Sequence, residues 1–130
     1  MLIDYKKLKD AVNNNAPADF QLPEDTAGSK ELFVNDSSTS IRVFLDGENV
    51  NKIILTVWAE EMASEDHSSS TYYKVFVGGL EGDLGWSSMN YYNAMQSTLK
   101  DHKEHTGTND QGISAKHSYD NGVLTVEITK

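Results

Sequence analysis

The chain has 130 residues, 20 acids against 11 bases and no cysteine, for a formal net charge of −9. Such a length suits one domain with one core, which buries about two thirds of its unfolded surface and needs no covalent staple. The absence of cysteine excludes disulfides, thiol nucleophiles and thiolate metal sites, and the charge opposes contact with nucleic-acid phosphates or anionic lipid.

Met1, Tyr5, Leu8 and Val12 recur at helical spacing, which predicts a short N-terminal helix stopped by Asn13-Asn14-Asn15 and Pro17. The opening residues show no charged segment followed by an apolar one. A cytoplasmic protein is therefore expected, or an extracytoplasmic one if a leader has been trimmed. No run approaches the ~18 apolar residues of a membrane helix, so no membrane insertion is expected. Residues 16–30 carry two prolines and no period. Residues 1–30 thus read as a helix and irregular arm, pinned by Phe20 and Leu22, ahead of an α+β core over 31–130.

From Glu31 the period changes to two. Residues 31–34 predict a short strand and 35–40 a turn, while Ile41, Val43 and Leu45 mark a second strand ending at Asp46-Gly47. Residues 52–59 place Ile53, Leu55, Val57 and Ala59 on one face and Ile54, Thr56 and Trp58 on the other, which predicts a central strand covered on both sides. A polar connection over 60–70 and a strand over 71–77 extend an antiparallel meander.

Gly78 to Gly85 form a glycine-rich break tightened by Trp86. Ser87 is placed to cap a helix over 88–105, with Tyr92, Met95, Leu99 and His102 on its buried stripe and Gly107 ending it. Ile113, Ala115, His117 and Tyr119 then alternate up to Asp120-Asn121-Gly122, and Leu124, Val126 and Ile128 alternate beyond it, a hairpin. The whole predicts a single α+β domain: an antiparallel sheet of about five to six strands, meander plus C-terminal hairpin, packed with one long helix and the N-terminal one.

Motifs for chemistry are few. Gly79, Gly82 and Gly85 recur every third residue, which fits neither phosphate-binding fingerprint, and Glu81 and Asp83 would repel a phosphate. His102 and His105 stand three apart on the predicted helix, where two imidazoles can share a metal, with His67 or His117 as a third ligand. Two helical ligands hold metal weakly, and histidine at a helix end also suits the negative C-terminal dipole, so no metal or other cofactor is expected. Glu127 alternates with Val126 and Ile128 and should face outward. No nucleophile elbow or Ser/His/Asp set can be assembled, and no catalytic residue is assigned.

Charge distribution carries more. Six of the nine net negative charges fall within residues 31–66, with Glu60, Glu61, Glu65 and Asp66 in a single connection. That array suits docking on a basic protein, or simple solvation of a loop. Tyr72-Tyr73 and Tyr91-Tyr92 are adjacent pairs in which one ring of each faces outward, so Tyr72 and Tyr91 join the four acids as expected partner contacts. The leading expectation is a small acidic, non-catalytic protein-binding module, such as an inhibitor, immunity or accessory protein. An alternative is a small-ligand-binding protein or enzyme that uses the cleft between the second helix and the sheet, lined by His102, His117 or Tyr119. A third is an envelope or secreted accessory domain.

Overall fold

The computed structural model describes residues 2–16, 21–35, 39–58 and 76–130. In chain order its elements are β1 (Ile3–Asp4), α1 (Tyr5–Asn13), β2 (Glu31–Asn35), β3 (Thr39–Asp46), β4 (Asn49–Trp58), a π-helical turn (Gly79–Asp83), α2 (Met89–Asp101), β5 (His105–Thr108), β6 (Ser114–Asp120) and β7 (Val123–Thr129). The strands form one antiparallel sheet in the order β2-β3-β4-β7-β6-β5, with β1 also beside β4. The molecule is therefore α+β, as its patterning predicts.

The sheet has one covered face. Ile41 and Val43 of β3, Ile53, Leu55 and Val57 of β4, and Leu124, Val126 and Ile128 of β7 point into the core at every second position. Above them lie α1, the π-helical turn and α2. Asp4 caps α1 by accepting the Lys6 backbone N–H, and Tyr5, Leu8, Ala11 and Val12 supply its buried stripe. Asn13 then clamps the returning chain, accepting the Leu22 N–H at 2.8 Å and donating to the Leu22 carbonyl at 3.0 Å. The Tyr5 hydroxyl donates to the Pro23 carbonyl at 2.6 Å. Leu22 is buried as expected, while Phe20 lies outside the described residues.

The β6–β7 hairpin follows its sequence closely. Asp120 pairs with Val123 across Asn121 and Gly122, whose φ angles of 51° and 80° both lie in the left-handed region. Asn-Gly is the dipeptide that reaches that geometry most cheaply.

Four expectations are corrected. β4 is central, but no described helix covers its second face: Trp58 on β4 and Phe33 on β2 are each 52% exposed. The described helices all pack on the other face, and the open one is dressed by long polar chains instead. Arg42 lies 5.7 Å from the Phe33 ring centre and Lys52 4.8 Å from that of Phe44, while Glu127 reaches both Lys52 and Lys116. Second, residues 71–75 of the expected fourth strand lie outside the described residues, and Phe76 and Val77 belong to a helical turn leading into Gly79. Third, α2 is capped by Ser88 rather than Ser87 and stops at Asp101, because His102 turns left-handed at φ 60°. Its inward residues are Tyr91, Ala94, Met95 and Thr98; of the expected stripe Met95 is buried and Leu99 packs against the core, but Tyr92 is 48% exposed and His102 lies beyond the helix.

Finally, residues 105–108 form edge strand β5 instead of the helix end. Gly107 is what lets β5 lie against α2. A Cβ there would run into the backbone carbonyl of Asn90, so any other residue would push helix and strand apart.

Candidate functional site

Alternation on three neighbouring strands brings Leu55, Ala115, His117, Val126 and Ile128 side by side on the covered face. Over them α2 contributes Tyr91, Tyr92 and Met95, and the π-helical turn with its flanks contributes Val77, Leu80, Glu81 and Trp86. These groups do not close completely, and a mostly apolar cavity of about 100 Å³ remains between helix layer and sheet. Glu81 and Tyr92 are its exposed members and so mark its rim; Leu80, Trp86 and Met95 are buried and form its walls.

His117 is the polar member of the floor. It is 4% exposed, and its Nδ1 lies 3.2 Å from the carbonyl of Ala115 on its own strand. A carbonyl only accepts, so that contact assigns the proton to Nδ1 and leaves Nε2 as a lone-pair acceptor. Burial pushes the imidazole pKa down to about 4; the bond to Ala115 opposes this, and the neighbouring His105 on β5 adds to it. The ring is thus neutral across the physiological range. The Thr98 hydroxyl donates to the His117 carbonyl at 3.3 Å, tying α2 to this point of β6.

Tyr91 stands half-buried in the wall with its hydroxyl donating to the Ile113 carbonyl at 2.7 Å, and burial raises its pKa to about 12. It was expected to reach outward; in the structure Tyr92 is the more exposed of the pair. Glu60, Glu61, Glu65, Asp66 and Tyr72 lie outside the described residues.

The other histidines take separate places. His102 stacks on Tyr119 with ring centres 4.0 Å apart, and neither lines the cavity. His105 Nε2 lies 2.8 Å from Asp101 Oδ2, and the Lys103 backbone N–H together with that imidazole holds the Asp101 carboxyl below its ordinary range. A shallow polar groove runs from His105 along α2 past Ser97, Asn93 and Asn90. Among the described residues no three His, Asp or Glu side chains gather as a metal would need.

Of the three cleft candidates named from sequence, the structure brings His117 alone to the cavity. Its signal was readable: a lone imidazole at a core position of an alternating strand. Leu80, Trp86 and Met95 were missed as walls, since they come from separate elements whose approach depends on the π-helical turn. Among the described residues no helix is long and apolar enough to cross a membrane. No protein-family model matches the chain, and no curated protein or solved structure matches it either.

Proposed function

We propose that this protein binds a small, mostly apolar molecule in the helix–sheet cavity, the cleft reading of its sequence. One observation carries the proposal: an apolar recess between sheet and helix layer has a buried, neutral histidine in its floor. Binding sites take this form, with a hydrophobic lining that supplies affinity and few polar groups that set orientation. A perturbed ionisable group inside a recess also separates this reading from that of a purely surface-binding module.

The test is a fragment series followed by methyl NMR on the intact chain. Single-ring compounds should move the Met95 methyl and Leu80 signals together, and Ala115→Leu, which fills the floor, should abolish the shifts. Fragments that move only surface signals would overturn the reading.

A second reading, an acidic module that docks on a basic protein, is supported by the acids around Tyr5. Burial, then Asp25, Glu24 and Glu48, raise the phenol pKa to about 12, so these carboxylates share one region of the surface. Reversing Glu24, Asp25 and Glu48 to lysine in one variant, and Glu60, Glu61, Glu65 and Asp66 in another, tests it. Unchanged salt-sensitive retention on a lysine-rich protein in both variants would discard it.

A further inference from the structure

The floor of the cavity narrows what it can hold, and this step rests on the ligand-binding reading. Nδ1 of His117, next to the point where the ring joins its side chain, is turned back to the Ala115 carbonyl. Nε2, at the far end of this cavity-lining ring, is left as its acceptor, and among the described residues no protein group makes a hydrogen bond to it. Among the described residues the walls make no hydrogen bond to it: Leu80 and Met95 carry no N–H or O–H donor in their side chains, the Trp86 indole N–H makes no bond to the ring, and the Tyr91 hydroxyl is committed to Ile113. A buried acceptor with no donor is costly, so the favoured occupant is one that brings its own.

We infer that the cavity takes a neutral hydroxy compound, a phenol or short alcohol, whose O–H donates to His117 Nε2 while its apolar body lies against Leu80, Trp86 and Met95. Charge is disfavoured on both sides. An anion would leave water for an apolar recess with Glu81 on its rim, and a cation would find an uncharged ring and no carboxylate in the floor. Size sets the limit. An engineered apolar cavity of about 150 Å³ holds one benzene ring, so a recess of about 100 Å³ open at its rim suits one ring or a short chain.

Phenol, anisole and toluene separate the possibilities, since they share a ring and differ in having a donor, an acceptor or neither. Affinities are read from Met95 and Leu80 shifts, and the imidazole nitrogens of His117 are followed by 15N NMR. Phenol should bind about five- to tenfold more tightly than anisole or toluene, and only phenol should move Nε2. The preference should vanish in His117→Phe and partly return in His117→Gln, whose amide carbonyl also accepts. Should either variant fail to fold, the Nε2 response of the wild-type protein decides alone. Equal binding of all three with Nε2 unmoved would overturn the hydroxyl inference and leave the cavity reading intact. No movement of Met95 or Leu80 by any of them would overturn both.

Discussion

Holding an uncharged imidazole between Ala115 and Tyr119 makes stability depend on pH. The native pKa of His117 is about 4 against 6.5 for the free side chain, so the unfolded chain takes up the proton first. The stabilisation from the neutral ring is complete above pH 6.5 and is lost as pH falls toward 4; below that both states are protonated. A gap of this size corresponds to about 3 kcal/mol. Urea unfolding between about pH 7 and about pH 4 should show this slope in the wild type and a shallower one in His117→Phe. Equal slopes would mean that the carboxylates alone govern the acid response. A positive charge on His105, opposite His117 on β5, opposes one on the His117 ring.

At the scale of elements, the contact between α2 and β5 turns on Gly107. Gly107→Ala places a methyl group against the Asn90 carbonyl, and neither backbone can yield without moving the helix. Such overpacking costs about 1–3 kcal/mol. Thermal unfolding should register the loss, accompanied by altered signals at Tyr91 and Met95 because the same helix walls the cavity. A variant as stable as wild type would show that α2 and β5 separate freely. Elements were readable from sequence to unequal degrees. The Asn121-Gly122 hairpin was evident because turn chemistry and alternation agree over neighbouring residues. β5 was hidden because His-Thr-Gly-Thr has no apolar alternation and owes its strand state to Lys116 and Ala115 opposite it. The inward tyrosine of α2 was misread because Tyr91 and Tyr92 are equivalent by composition, and only the sheet below selects one of them.

For the whole molecule, two electrostatic effects compete. A net charge of −9 repels itself, whereas the open face holds opposite charges together, with Arg42 near Glu31 and Glu127 shared by Lys52 and Lys116. The pairs are at least partly exposed and contribute little each, so self-repulsion should win. Raising ionic strength from about 0.01 to about 0.15 M shortens the screening length from about 30 to about 8 Å. Calorimetry should then show stabilisation of about 1 kcal/mol, roughly 4 °C in Tm. A fall in Tm would show that the ion pairs of the open face dominate. The open face itself was not foreseen, because Ile54 and Trp58 read as core until the helices are seen to crowd the opposite side.

One further consequence lies in how β4 is shared. Ile128 of β7 sits opposite Ile53, and Ile3 of β1 sits opposite Val50, on the same side of the same strand. β7 and β1 both run antiparallel to β4, so they follow one another in a single lane with Lys130 and Leu2 in the gap between them. Among the described residues Leu2 and Lys130 thus lie next to one another. A very short peptide linker there would cyclise the chain, which could be reopened at another surface turn as a circular permutant. Any cargo fused before Leu2 or after Lys130 would leave from that one spot, so fusions at either end should place their passengers at the same site.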